Sequence, residues 1–134
     1  MTNARNIFSA GIGMGAALAV DSLVGRRGGG QRVVLQAAGL TTAALIYPAA
    51  RTQRSVSLAM LRELAALAGF GVLSAAAAGN RDTASAARWL AAGWTAHAAF
   101  DFAHDGGEGS LIPAWYPALC AGYDLATAAK LLAT

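Results

Sequence analysis

The residues with the clearest capacity for chemistry lie close together, in the stretch HAAFDFAHD at residues 97–105. It holds two histidines and two aspartates, whereas the segments on either side are largely apolar. A helix advances about 100° per residue, so residues spaced i, i+4, i+7 and i+8 lie on one face. The spacing predicts one polar stripe on an apolar helix, formed by His97, Asp101, His104 and Asp105.

Polar residues of neighbouring segments are expected to reach the same depth as this stripe. Counted from the turn at residues 106–113, His97 and Asp124 each lie about ten residues into their helices, on the order of 15 Å. Glu63 enters from the same side. The predicted catalytic and metal-ligating residues are His97, Asp101, His104 and Asp124, with Glu63 as a further metal ligand and with Asp105 and Cys120 in a secondary role.

Neutral imidazole and carboxylates together form a ligand set for a first-row metal, zinc or iron(II). His97, His104 and one carboxylate would give a facial arrangement with open coordination positions. Two alternatives remain open at this point. The same side chains would hydrogen-bond each other and tie the fourth helix to the fifth, or they would form a metal-free proton relay or ligand pocket.

The composition is that of a membrane protein. Of the 134 residues, 56% are hydrophobic and 13% charged, whereas about 25% charged is usual in soluble domains. Stretches such as AALAGFGVLSAAAAG, at residues 65–79, offer no polar face. A helix that is apolar all round is buried in a large core or in lipid, and a chain of this length cannot build a large core.

The fold expected from these features is an all-α, polytopic integral membrane bundle of five helices, in a single domain of residues 1–134. Glycine, proline and arginine clusters separate five apolar runs of roughly the length of a membrane span. The first run is read as a retained span rather than a cleaved signal peptide. The five predicted spans are residues 6–25, 32–50, 57–79, 84–105 and 114–133.

The basic residues lie mostly between the apolar runs, which is typical of connecting loops in membrane proteins. Six of them fall on the side of the 26–32 loop and four on the side of the 51–56 loop, so the former side is predicted to be cytoplasmic. Nucleic-acid binding is excluded as a function, because no basic surface with aromatic residues is indicated. A single cysteine, Cys120, leaves no intrachain disulfide.

Two features of the first span lead to expectations about packing. Gly11 and Gly15 have the small-xxx-small spacing of a close helix contact, within the chain or across a homo-oligomer. Asp21, one turn from Arg26, is expected to be an end charge that reaches the membrane interface.

The last third of the chain resembles a family of small bacterial integral membrane proteins of unknown function. The pattern is His-x3-Asp-x2-His, followed by Pro-x-Trp-Tyr-Pro-x2-Cys-x3-Asp. It falls on His97, Asp101, His104, Pro113, Trp115, Tyr116, Pro117, Cys120 and Asp124. The chain departs from the family pattern at Asp105, where a second histidine is common. The resemblance implies a multi-pass protein of the bacterial inner membrane and brings no established activity.

The function expected is that of a membrane-embedded, metal-dependent enzyme. It would perform hydrolase- or isomerase-like acid/base chemistry on a small lipophilic or lipid substrate. The competing expectation is a non-enzymatic protein, either a proton- or cation-coupled carrier or an interaction subunit of a larger membrane complex. The expected partners are membrane lipid, the lipophilic substrate and further copies of the chain.

Overall fold

The computed structural model describes residues 4–104 and 107–134, and the regular structure of these ranges is helical. The predicted all-α class is confirmed. Each predicted segment coincides with one helix, and the boundaries differ by no more than about three residues. The helices are α1 (Ala4–Val24), α2 (Gly29–Ala49), α3 (Leu58–Ala78), α4 (Thr83–Ala103) and α5 (Tyr116–Leu132).

Local chemistry explains where three of the helices begin. The Ser57 hydroxyl accepts a hydrogen bond from the Met60 backbone N–H, 3.1 Å away, and caps α3. The Asp82 carboxylate accepts from two backbone N–H groups in the first turn of α4. A proline in the first turn of α5 costs no helical hydrogen bond, because a backbone N–H at that position has no partner within the helix.

The helices pack in a defined order, with α1 on α5, α5 on α4, α4 on both α2 and α3, and α2 on α3. The buried residues of α1 are Ser9, Gly13 and Ala17, one turn apart. Glycine is required where α1 meets α5, because a Cβ at Gly13 would overlap the backbone carbonyl of Leu119. A Cβ at Gly122 would likewise overlap the backbone of α1.

The close contact expected of Gly11 and Gly15 does not form within the chain. A Cβ on either residue would have no neighbour within 4 Å. Gly13 makes the contact instead, because residues two apart lie on nearly opposite faces of a helix. An interface of Gly11 and Gly15 between copies of the chain stays a prediction.

The buried face of α4 changes character along its length. Its first half contributes Ala86, Leu90 and Trp94 to an apolar core that also contains residues of α2, α3 and α5. Its second half continues the same face with His97 and Asp101, which are 1% and 2% exposed. One end of the bundle is therefore packed mainly by apolar residues, and the buried ionisable side chains lie at the other end.

Much of the outer surface of the helices is apolar. Large hydrophobic side chains are exposed on all five helices, among them Phe8, Leu18, Val34, Leu45, Leu61, Val72, Trp89, Phe102 and Leu125. Two helices, α1 and α3, are long and apolar enough to cross a membrane by length and composition. A signal sequence or the core helix of a soluble protein would also meet that test. The structure therefore gives five helices with two membrane-span candidates among the described residues.

The carboxylate of Asp21 is tied into the bundle. Its Oδ1 lies 2.8 Å from Nη2 of Arg32, and its Oδ2 lies 3.4 Å from Nζ of Lys130. The predicted neighbour, Arg26, is not among these partners. Asp21 thus joins the end of α1 to the start of α2 and the end of α5.

Backbone hydrogen bonds join the α2–α3 loop to the α4–α5 loop. The Thr52 N–H donates to the carbonyl of Gly109 over 2.8 Å, and the Leu111 N–H donates to the carbonyl of Ala50 over 2.9 Å. Arg51 and Ser110 form an antiparallel bridge between these bonds. Gly109 has a φ of 75°, which favours glycine. The two loops therefore form one layer over the polar end of the bundle.

The contact between α1 and α5 generates a prediction. Gly13→Ala or Gly122→Ala should destabilise the protein by at least about 1–3 kcal/mol, the usual cost of overpacking, because backbone atoms cannot move aside cheaply. Gly69→Ala is the matched control, since its added methyl group in the middle of α3 meets open space. Thermal unfolding measures all three variants. Equal stabilities for Gly13→Ala and Gly69→Ala would contradict the packing.

Candidate functional site

The predicted meeting of α4 with Asp124 is confirmed. Nδ1 of His97 lies 2.7 Å from Oδ2 of Asp124 and 3.4 Å from Oδ2 of Asp101. His97 and Asp101 lie one turn apart on α4, and Asp124 comes from α5. All three side chains are at most 2% exposed. These residues, together with Tyr47, are called the inner cluster below.

Tyr47 was not expected in the site. Its hydroxyl donates a hydrogen bond to Oδ1 of Asp101 over 2.8 Å, and the residue is 1% exposed. It lies on the buried face of α2, one turn after Ala44 and two turns after Leu40. A tyrosine buried on that face needs a hydrogen-bond acceptor for its hydroxyl. The position of Tyr47 on a largely apolar face was therefore the sequence feature that could have indicated its place in the site.

A second set of side chains lies nearer to the two joined loops. Arg51 binds Glu63 through two parallel hydrogen bonds, Nε to Oε2 over 2.9 Å and Nη2 to Oε1 over 2.6 Å. Nε2 of His104 lies 2.7 Å from Oε1 of Glu63. Arg51 also donates from Nη1 to the backbone carbonyl of Glu108. Arg51, Glu63 and His104 are called the outer cluster.

Arg51 is a buried residue rather than a solvated loop arginine, with 8% of its surface exposed. Its hydrogen bonds to Glu63 raise the pKa of the guanidinium, so it remains a fixed cation. Glu63, which is fully buried, therefore faces a permanent positive charge. Arg62, the neighbour of Glu63 in the sequence, is exposed.

The prediction of one continuous polar stripe is wrong at His104. Helix α4 ends at Ala103, and His104 follows with φ −130° and ψ 110°, which are extended values. This change of direction carries the imidazole to Glu63 instead of along the face of His97 and Asp101. Asp105, the last member of the predicted stripe, lies outside the described residues.

Of the five predicted metal ligands, three come together. One imidazole nitrogen of His97 and one carboxylate oxygen from each of Asp101 and Asp124 lie within 4.8 Å of one another. These three atoms are close enough to bind the same metal ion. The facial arrangement that pairs His97 with His104 does not form. Glu63 and His104 belong to the outer cluster, where Arg51 already holds the carboxylate. Cys120 is a half-buried free thiol.

The two clusters differ in charge. Glu63 has Arg51 as its partner, whereas Asp101 and Asp124 share His97 and have no arginine or lysine within ion-pair distance in residues 4–104 and 107–134. Within the same ranges, Nε2 of His97 and Oδ2 of Asp101 are buried without a hydrogen-bond partner. Two carboxylates facing one imidazole leave at least one negative charge uncompensated when both are ionised. The inner cluster therefore favours binding of a cation or a proton.

Aromatic rings surround the two histidines. Phe70 lies 5.1 Å from His97 between ring centroids, and Phe100 stacks on His104 at 4.9 Å. Phe100 also lies 6.2 Å from the ring of His97. These rings restrict the orientation of both imidazoles and lower the local dielectric. A low dielectric strengthens every electrostatic interaction in the site.

The Arg51–Glu63 pair generates a prediction about stability. Arg51→Met or Glu63→Gln should each cost about 3–5 kcal/mol of unfolding free energy, because either change leaves the other partner without its counter-ion or its full set of hydrogen bonds. The double variant should lose clearly less than the sum of the two. Arg54→Met, at an exposed arginine of the same loop, is the control and should be close to neutral. Additive losses in the double variant would contradict the pairing.

Comparison with known proteins yields no match. No family model, curated protein or solved structure matches this chain. The resemblance to small bacterial membrane proteins, drawn from residues 97–124, therefore stays a prediction.

Proposed function

We propose that this chain is an integral membrane protein that holds one divalent metal ion, zinc or iron(II), at His97, Asp101 and Asp124. With it the protein performs acid/base chemistry on a small lipophilic or lipid substrate. The observation that carries the proposal is the pair of buried carboxylates in the inner cluster, which share one imidazole and no fixed cation.

The distribution of polarity supports placement in a membrane. Only 17% of the residues in the most apolar 18-residue stretch of α1, and 11% of those in α3, are buried within the chain. A core helix of a soluble protein would be mostly buried, so most of the apolar surface of α3 needs lipid or another chain to cover it. In α4 and α5 the carboxylates of Asp101 and Asp124 are buried inside the bundle, as acidic residues of membrane-spanning helices usually are. We therefore extend the proposal to all five helices.

The distribution of basic residues supports an orientation. Arg51 and Arg32 are each paired with a carboxylate inside the protein, and the remaining basic residues divide five to three in favour of the 26–32 side. The positive-inside rule then favours this side as the cytoplasmic one, with the chain in the inner membrane of a bacterial cell. The inner and outer clusters lie toward the opposite face.

The donor set fits the proposed ion. Three protein ligands with nitrogen and oxygen donors are the usual number at a catalytic zinc, where a further position remains for water or substrate. Tyr47 holds Oδ1 of Asp101, which leaves Oδ2 available. A bound zinc or iron(II) would supply Lewis acidity. Because both carboxylates would be ligands of the ion, the acid/base group would be a water molecule at the further position, whose pKa the ion would lower.

Metal analysis of the purified protein tests the proposal. Wild-type protein should hold close to one zinc or iron per chain, and His97→Ala, Asp101→Asn and Asp124→Asn should each lose most of it. His104→Gln is the matched control, because it changes a histidine of the outer cluster and should keep the metal. Metal-free wild-type protein after exposure to zinc and iron, or equal loss in His104→Gln, would overturn the proposed site.

A second candidate function, a proton- or cation-coupled carrier, is favoured by the closure of the site. The ligands are at most 2% exposed, and the outer cluster and the joined loops lie on the way to the nearer surface. A cation at this position would be enclosed, as in a carrier between its two open states. The same enclosure suits a structural site in a subunit of a larger complex.

Two assays separate these functions. An enzyme should change the composition of a total lipid extract in a way that Asp124→Asn abolishes, as followed by mass spectrometry. A carrier should instead move protons or metal across proteoliposomes with the same dependence on Asp124, and a subunit should show neither activity. A lipid product formed by wild-type protein and by Asp124→Asn alike would contradict catalysis at the inner cluster.

A further inference from the structure

The end of the bundle opposite to the inner cluster contains a cavity of about 360 Å³. Its walls come from the starts of α2 and α4 and from the end of α5. Two arginines and two threonines lie beside an apolar floor. The lining residues that matter here are Arg32, Arg88, Thr83, Val33, Ala87 and Leu131.

The charges around this cavity do not balance. The Asp21 carboxylate is shared by two cations, Arg32 at 2.8 Å and Lys130 at 3.4 Å. Nε of Arg32 is buried and has no hydrogen-bond partner in the part of the chain that the structure describes. Arg88 is exposed and forms no ion pair with an acidic residue in the same part. The side chains around the cavity therefore carry a net positive charge that a bound anion would neutralise.

We infer that this cavity binds a phosphate group, most simply that of an anionic phospholipid. The guanidinium of Arg88 matches phosphate oxygens in shape and charge. Arg32 is held in place by Asp21 and presents a second cation. The apolar floor of Val33, Ala87 and Leu131 suits the first methylene groups of an acyl chain. The inference rests on the membrane location proposed above and is independent of the metal site.

The arginines that line the cavity can be distinguished from the general excess of positive charge at this end of the bundle. Arg26, Arg27 and Arg81 lie near the same end of the bundle but do not line the cavity. They would attract any anionic surface through long-range electrostatics, which salt screens. A phosphate held in the cavity would depend on Arg88 and would not depend on Arg81. This difference provides a matched pair of variants.

Native mass spectrometry of the detergent-solubilised chain, titrated with phosphatidylglycerol or phosphatidylcholine, tests the inference. Wild-type protein should bind one phosphatidylglycerol in preference to phosphatidylcholine. Arg88→Gln should weaken this binding about tenfold, the effect of losing one hydrogen bond to a charged group. Arg81→Gln, which removes the same charge outside the cavity, should change it little. Ala84→Phe fills the cavity from an exposed position without altering charge and should also weaken binding.

A competition with inorganic phosphate identifies the source of the bound group. If phosphate at millimolar concentration displaces the lipid from wild-type protein, the cavity recognises the phosphate alone, and a free phosphate compound is the ligand. If it does not, the acyl chain contributes and a lipid is the ligand. Equal losses in Arg88→Gln and Arg81→Gln, or no preference for phosphatidylglycerol, would overturn the inference. Metal content, measured on the same samples, reports separately on the proposed function.

Discussion

The energetic cost of an uncompensated charge away from water governs the arrangement of this protein. The bundle encloses Arg51, Glu63, His97, Asp101 and Asp124, and large hydrophobic side chains are exposed on all five helices. Each buried ion would cost several kcal/mol if it were left alone. The buried ionisable side chains therefore lie at one end, where partners from α2, α3, α4 and α5 are within reach. The rest of the interior, around Trp94, is packed mainly by apolar residues.

The two clusters meet this requirement in different ways. In the outer cluster a guanidinium and a carboxylate neutralise each other through parallel hydrogen bonds, and little capacity for chemistry remains. In the inner cluster the only positive charge available is a proton on His97. The net charge of the inner cluster therefore depends on the proton or cation that it binds. A site whose charge depends on its ligand is suited to exchange ions or protons, whereas a permanently neutral pair is suited to hold a structure together.

Much of the fold could be predicted, because apolar runs and turn residues mark each helix directly. The meeting of His97 with Asp124 followed from equal depth on adjacent helices. Other features depend on information that a single segment lacks. The turn at His104 comes from the way α4 ends, and the burial of Arg51 depends on how α3 packs beside α2. Gly11, Gly13 and Gly15 occur at every second residue of α1. Only the position of α5 decides which of them makes the close helix–helix contact.

The pairing of buried charges has a consequence for the order in which the chain would assemble. Arg51 and Glu63 are 12 residues apart and flank the turn of the α2–α3 hairpin. His97 and Asp124 are 27 residues apart and belong to the α4–α5 hairpin. The α2–α3 hairpin thus contains the counter-charge of its own buried carboxylate, whereas the α4–α5 hairpin, with both of its aspartates ionised, retains at least one uncompensated negative charge until it binds a cation or a proton. The links between hairpins, from Tyr47 to Asp101 and from His104 to Glu63, span 54 and 41 residues. They can form only when the two hairpins meet, so the complete site would assemble after each hairpin has formed.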